Sequence, residues 1–428
     1  QELANLIGPL VIEQLLAVFV GMADSIMVAN VGEAAVSGVS LVDNIMILII
    51  NIFAALATGG AVVAGQYIGR KDEKSACKAA TQLVWFVSLS AVAIMILVYF
   101  GKDIILNQVF GHITAEVKGH ADIYLLIVTA SIPFIALYNG GAAIFRAMGN
   151  SQVSMRVSLL MNAINVTGNA ILVFGLRIGT AGVAIPTLIS RMVAAIVITV
   201  LLCNQTRILH IERTLKIRFD GRMIRKILAI GVPNGLENSM FQLGKILVLS
   251  LVSTFGTYAI ALFQILPGMA ISLAITTVIS QCVGANDYEQ VHYYLKKLLA
   301  IIYVAMVGTV ALIFLALPLI LKAYNLSDQT AAAATNIIHF HGISAMIIWP
   351  LSFALPAAYR AAGDAKACMY TSIVSMWIFR IGFSYLVGKY MGLGVFGVWV
   401  AMVIDWVVRA ICFIIRYFNG KWKHGAIV

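Results

Sequence analysis

Gln66-Tyr-Ile-Gly69-Arg-Lys-Asp72 returns later in the chain as Gln281-Cys-Val-Gly284-Ala-Asn-Asp287. Three other stretches return with it in the same order. Ile7-Gly8-Pro9 followed by Glu13-Gln14 becomes Ile230-Gly231-Val232-Pro233 followed by Glu237-Asn238. Phe145-Arg146-x-x-Gly149-Asn150 becomes Tyr359-Arg360-x-x-Gly363-Asp364. Gly179-x-x-Gly182-Val183 becomes Gly394-x-x-Gly397-Val398. The offset is 224 residues from Glu13 to Glu237 and 215 from Gln66 to Gln281. One unit has therefore been used twice, with a short length change between the first match and the second. Both copies are apolar enough for a lipid bilayer. The pattern predicts two packed membrane bundles with a substrate site at their interface.

Composition supports the bilayer. Hydrophobic residues make up 61% of the chain and charged residues 11%, against about 45–50% and about 25% in soluble globular proteins. An ordinary soluble fold is excluded. Gln1 to Val31 has no basic leading region and no small-residue cleavage site, so no removable leader is expected there. Cys77, Cys203, Cys282, Cys368 and Cys412 lie far apart. They form no metal spacing or redox pair and read as small apolar fillers of helices.

Runs long enough to cross about 30 Å of hydrocarbon fall at 3–30, 35–69, 76–100, 120–145, 154–175, 179–203, 223–254, 257–283, 290–321, 331–361, 366–390 and 394–418. The fold class expected is all-α and integral to the membrane, with twelve transmembrane helices. The net charge of +11 would suit nucleic acid, but its distribution points elsewhere. With the N-terminus inside, one side holds Arg70, Lys71, Lys74, Lys78, Arg146, Arg156, the seven basic residues from Arg207 to Lys226, Lys296, Lys297, Arg360, Lys366, Arg416, Lys421 and Lys423. The other side holds Lys102, Lys118, Arg177, Lys322 and Lys389. Twenty against five is the positive-inside pattern. It places both termini, Cys77 and Arg213 in the cytoplasm, and Lys102 and Lys322 outside. It also supports an even helix count, since an odd one would scramble the bias.

The polar, basic stretch 204–222 falls between the copies. It reads as a cytoplasmic linker joining an N-lobe, 1–203, to a C-lobe, 223–428. Six helices per lobe give both lobes the same orientation, so the pseudo-twofold runs along the membrane normal. Small-residue runs at Thr58-Gly59-Gly60-Ala61 and Gly140-Gly141-Ala142-Ala143 mark close helix approach. Pro133, Pro186, Pro267, Pro350 and Pro356 fall within spans. Each frees a carbonyl that a neighbour must satisfy, and so marks a kink or hinge.

An ionisable side chain near the bilayer centre costs at least about 2.5–3.5 kcal/mol, so it should face a cavity or a partner. The first half carries Glu13, Asp24, Asp43 and Arg191 within spans. The second carries Glu237, Lys245, Arg380, Asp405 and Arg409. Asp24 stands out, in Gly21-Met-Ala-Asp-Ser25, with no basic residue within a helical turn. Glu13 and Glu237 occupy equivalent places and lie nearer helix ends; either a wet interface or a cavity accounts for them. Asp405 and Arg409 are four apart and suit an intrahelical pair. Lys245 either faces an acid or snorkels. Asp43, Lys245 and Gln264 join Glu13 and Glu237 as cavity candidates. The fifth span holds Asn162, Asn165, Thr167 and Asn169, with Asn165 and Asn169 on one face. Thr187 follows Pro186 on the sixth. Oxygens of this kind either bond neighbouring helices or ligate a hard cation. His339 and His341 read as residues of a wet interface near a helix start.

The opening helix, with Gly-Pro-Leu and Gly-Met-Ala-Asp-Ser-Ile-Met-Val, together with the paired motifs at 66–72 and 281–287 and at 145–150 and 359–364, resembles the multidrug and toxic compound extrusion family of bacterial transporters. The resemblance covers nearly the whole chain. It implies export of cationic or amphipathic small molecules by alternating access, driven by inward flow of H⁺ or Na⁺. It also implies an ion site formed by an aspartate on helix one, Asn-x-x-x-Asp on helix five and a threonine on helix six. Those places hold Asp24, Asn165, Asn169 and Thr187, so Asn169 stands where the family has an acid. One carboxylate in place of two favours H⁺. The family's glutamate eight residues after the proline of helix seven is Phe241 here, and Glu237 lies one turn earlier. Asp364 matches the acid after the arginine motif of helix ten.

The resemblance also admits a lipid-linked oligosaccharide flippase of the same superfamily, the alternative reading. An enzyme is not expected, since no nucleophile–base pair or metal cluster lies within the spans. No cofactor beyond the coupling ion and no nucleic-acid partner is expected. The expected partners are a small toxic molecule and the lipid bilayer. The protein should be a monomer in the bacterial plasma membrane.

Overall fold

The computed structural model describes residues 1–204, 206–211, 218–249, 255–323 and 327–425, with side chains left aside at 246–249 and 255–259. Arg213 and Lys216, counted above, lie outside the described residues, as does the end of the seventh expected span.

Twelve helical spans run through the described residues, and no strand is found among them. They are α1 (Glu2–Ala29), α2 (Glu33–Gly69), α3 (Glu73–Phe100), α4 (Ala115–Thr129 and Ile132–Ala147), α5 (Ser151–Asn169, continuing through Ala170–Gly175) and α6 (Ala181–Leu202). The second six are α7 (Gly221–Leu249), α8 (Phe255–Gly284), α9 (Tyr288–Ala323), α10 (Asp328–Ile347 and Pro350–Ala361), α11 (Ala365–Ser375, continuing to Tyr390) and α12 (Val395–Asn419). Among the described residues nine helices are long and apolar enough to cross a membrane, or eleven when each bent pair counts as one span. The remaining span, α7, carries Arg222, Arg225, Lys226, Glu237 and Lys245. This is a multi-pass membrane protein.

Two expected spans are not straight. α4 bends by 49° between its halves and α10 by 58°, each at a break beside a proline, Pro133 and Pro350. A proline in the first turn of a helix needs no donor, so it restarts the helix after the break. Both bends fall on the fourth helix of their copy. The fifth helices also match: α5 widens into i→i+5 hydrogen bonding at Ala170–Gly175, and α11 does so at Met376–Gly382 and Ser384–Tyr390. The repeat read in short motifs is thus present in backbone shape.

The chain divides into two compact units. The first is Gln1–Ile68 with Asp72–Gly235; the second is Gly69–Lys71 with Leu236–Val428. The division falls within α7. In the first unit α1 packs along α5, α5 along α6, and α3 along α4. Lipid tails are as apolar as leucine, so packing depends on close fit and not on exclusion of water. Gly59 shows this: a Cβ there would sit 2.6 Å from the Ile227 carbonyl on α7. Gly141 likewise admits Ile198 of α6, whereas Gly140, read with it as a contact, has nothing within 4 Å of its Cβ position. In the second unit α8 packs along α9 and α10, and α11 along α12.

Candidate cation-coupling site

Three helices of the first unit bring together the four residues expected at the ion site. The Asn169 amide on α5 donates to Asp24 Oδ1 on α1 at 2.6 Å, and the Asn165 amide donates to Asp24 Oδ2 at 3.2 Å. Spacing by four puts both amides on one face of α5, one above the other. Thr187 on α6 donates toward Asn165 Oδ1 at 3.3 Å and toward the Val183 carbonyl at 3.0 Å. The α5–α6 approach depends on Gly168, where a Cβ would lie 2.7 Å from the Pro186 ring. The ring next to Thr187 thus packs against bare backbone. Immediately after Asn169, α5 widens into the i→i+5 turn, a distortion common at functional sites.

Asn169 is fully buried, yet its amide oxygen has no hydrogen-bond partner. An orphaned buried acceptor costs about 1–3 kcal/mol. This oxygen sits on the side chain whose nitrogen is already committed to Asp24. The group therefore offers a carboxylate, an unused amide oxygen, a second amide and a hydroxyl. Such a set suits a hard monovalent cation through oxygen, or a proton through the carboxylate alone. Among the described residues no group of three His, Cys, Asp or Glu is placed to hold a metal.

Beside this group lie charges that share its field. Asp43 on α2 accepts from the Tyr124 hydroxyl at 2.8 Å. Arg191 on α6 donates to the Ser131 hydroxyl at 2.8 Å, and its charge acts on both Asp24 and Asp43. Two carboxylates against one guanidinium leave the region one positive charge short of neutral. Tyr124 and Ser131 carry no sequence signal, since both sit in ordinary apolar runs around the α4 break.

Glu13, a cavity candidate, has different surroundings. It is buried, accepts from Arg146 at 3.0 Å, Ser154 at 2.7 Å and Tyr138 at 3.4 Å, and forms an ion pair with Arg146. It lies three turns from Asp24 along α1. Glu237 repeats the arrangement in the second unit, where Arg360 reaches its two oxygens at 3.2 and 3.4 Å. The recurring arginine motif thus closes an ion pair with the recurring glutamate in each unit. Neither glutamate is left as a lone carboxylate. Asp364 is paired with Arg416 of α12.

The other second-unit candidates gather in its interior. Asp405 is fully buried between Arg380 and Arg409, each at 3.0 Å, and accepts from Ser375 at 2.5 Å. The pair four apart on α12 is therefore part of a triad, completed by α11. Phe241 explains itself here: the Arg380 guanidinium lies 4.9 Å from its ring centre and Arg409 6.0 Å. Where the resemblance implies an acid, this chain offers an aromatic face to two cations. Lys245 is within electrostatic reach of Arg380. Gln264 is buried and hydrogen-bonds the His341 ring at 2.5 Å and the Ile338 carbonyl at 3.3 Å. His341 corrects an expectation: it is 2% exposed, edge-on to Trp399 and Trp406, and not at a wet interface. Its partner Gln264 comes from α8, 77 residues away, which the sequence does not signal.

The sequence profile of the MatE family matches residues 9–171 and 233–386. An uncharacterized transporter, YisQ, of Bacillus subtilis is 28% identical, the match covering 98% of this chain and 94% of that protein. A probable multidrug resistance protein, NorM, of Thermotoga maritima is 23% identical over 100% of this chain and 94% of that one. Among solved structures, the outward-facing conformation of a multidrug resistance MATE family transporter of the MOP superfamily superimposes with a TM-score of 0.91. That match is 21% identical and covers 99% of this chain and 96% of that one; it speaks to the fold.

Proposed function

This chain belongs to the MatE family of transporters, not to a family of enzymes, and we propose that it is a secondary active multidrug exporter of the bacterial plasma membrane. It exchanges cationic or amphipathic small molecules for an inward-moving cation by alternating access, with both termini in the cytoplasm. Its similarity to a NorM-type multidrug resistance protein supports the substrate class. The observation that carries the coupling site is the Asp24 carboxylate held by Asn165 and Asn169, with the buried amide oxygen of Asn169 unpartnered beside it. Asp24, Asn165, Asn169 and Thr187 hold the ion; Asp43 and Arg191 set the field around it.

The region lacks one positive charge. A single proton or a single Na⁺ on Asp24 makes it neutral. Na⁺ must shed water first, and one carboxylate compensates less of that cost than two. With Asn169 in place of an acid, H⁺ is the favoured coupling ion. Loading Asp24 removes the charge that its two amide donors hold, which loosens α1 from α5 and biases the first unit between two arrangements. Substrate and ion then compete through those arrangements and need not share ligands. Asp24→Asn tests the assignment: cells expressing it should lose resistance to a cationic dye at unchanged protein level. Full resistance would refute it.

A further inference from the structure

The linker end of the first unit holds a cavity of about 1430 Å³ that the transport reading leaves unused. One wall is a stripe of α3: Lys74, Lys78, Thr81 and Trp85 follow one another on one helix face. Lys74 to Trp85 spans about 16 Å along the axis at about 1.5 Å per residue. The stripe therefore grades from cations at the helix start to an indole at hydrocarbon depth. The opposite wall is the chain on either side of residues 212–217. It adds Arg207 and Arg218 as cations, and Ile208 and Phe219 as apolar side chains that are 47% and 50% exposed.

The walls are built, not accidental. Gln82 ties them together: its amide nitrogen donates to the Arg218 carbonyl at 2.7 Å, and its oxygen accepts from the Asp220 amide at 3.2 Å. Lys78 pairs with Asp220 at 2.5 Å, and that neighbour holds the Asp220 carboxyl below its ordinary range. Among the described lining residues, Lys74, Lys78, Arg207 and Arg218 face Glu73 and Asp220, an excess of two positive charges. Arg207 supplies the pointer to a ligand. Its guanidinium lies 5.1 Å over the Phe145 ring, and its Nε is buried with no acceptor. Arg207 is half-buried, and a guanidinium N–H without an acceptor favours an anionic oxygen.

We propose that this cavity is a binding site for an anionic phospholipid of the cytoplasmic leaflet. The headgroup phosphate would sit among Arg207, Arg218 and Lys74, and an acyl chain would run along Trp85, Ile208 and Phe219. Basic pockets at the cytoplasmic ends of membrane helices favour such headgroups, and the polar-to-apolar grade along α3 matches the lipid's own. The site rests on the reading that this face is cytoplasmic. It needs no ion gradient, so its test stands apart from that of export.

The experiment is native mass spectrometry of the detergent-purified full chain, equilibrated with equal amounts of phosphatidylglycerol and phosphatidylcholine. The wild type should retain phosphatidylglycerol selectively. Arg218→Gln and Lys74→Gln, both at exposed positions, should each weaken retention about fivefold, the share of one basic residue near a lipid surface. The triple variant that adds Arg207→Gln should bring the two lipids level. A triple variant elsewhere on the same expected side, Lys296→Gln, Lys297→Gln and Lys366→Gln, should retain phosphatidylglycerol as the wild type does. Equal loss in both triples would reduce the effect to general surface charge and overturn the proposal, as would no loss in the single variants. Complete displacement of the lipid by millimolar inorganic phosphate would make this a small-anion site and overturn it too.

Discussion

Asn169→Asp returns an acid to the fifth helix at a place where the structure fixes its distance to Asp24. The Asn169 amide nitrogen is 2.6 Å from Asp24 Oδ1, so an isosteric carboxylate there puts the two charge centres about 4 Å apart. Unit charges at that separation repel by about 4 kcal/mol at an effective dielectric of about 20. The hydrogen bond that Asn169 gives Asp24 is lost as well. A cation between the carboxylates relieves both penalties. Each 1.4 kcal/mol is a tenfold change in affinity, so Na⁺ should bind the variant about 10²–10³ times more tightly than the wild type. The readout is the Na⁺-dependent rise in melting temperature of the purified protein at alkaline pH, where protons compete least. Asp24→Asn/Asn169→Asp, with one carboxylate again, should fall back toward wild-type Na⁺ affinity. Unchanged Na⁺ affinity in Asn169→Asp, or equal affinity in the single and double variants, would refute the view that these side chains form one site.

Other outcomes follow from the same geometry. In a cysteine-free background, a cysteine at 102 should react with an impermeant reagent from outside and one at 213 should not; equal reaction would defeat the topology. Glu13→Gln leaves the Arg146 charge in a site only 21% exposed and should cost about 2–3 kcal/mol, below the 3–5 of a fully buried pair. Glu237→Gln should cost less, because among the described residues Arg360 alone is seen bonding Glu237; thermal unfolding compares the two. Gly168→Val should drive Pro186 off α5 and part Thr187 from Asn165, costing about 1–3 kcal/mol of packing. Dye export should fall at equal expression, and export at the wild-type rate would contradict the packing argument.

The residues of the coupling group were legible because each broke a rule of lipid-exposed sequence. Asp24 is an acid with no basic neighbour on its helix, and Asn165 and Asn169 recur at helical spacing in an apolar run. Thr187 stood beside a proline whose freed carbonyl needs company. What the sequence did not show were partners from distant helices. Arg146 looked like a topology signal until Glu13, 133 residues away, was found against it. Arg380 completes an Asp405–Arg409 pair that spacing alone had seemed to satisfy. His341 looked wet because polar residues near a helix start usually are; Gln264 and two tryptophans bury it. The bends of α4 and α10 were hinted at by Pro133 and Pro350. The widened turns of α5 and α11 were not, since i→i+5 and i→i+4 turns have the same composition.

The central claim is that Asp24 couples drug export to a cation, with H⁺ favoured. The direct measurement is dye export by the purified protein in sealed vesicles, under an imposed pH gradient alone and then an imposed Na⁺ gradient alone. The account predicts export driven by the pH gradient in the wild type and none under either gradient in Asp24→Asn. Wild-type export that follows Na⁺ and ignores the pH gradient would contradict the choice of ion. Export by Asp24→Asn under the pH gradient at the wild-type rate would contradict the site itself.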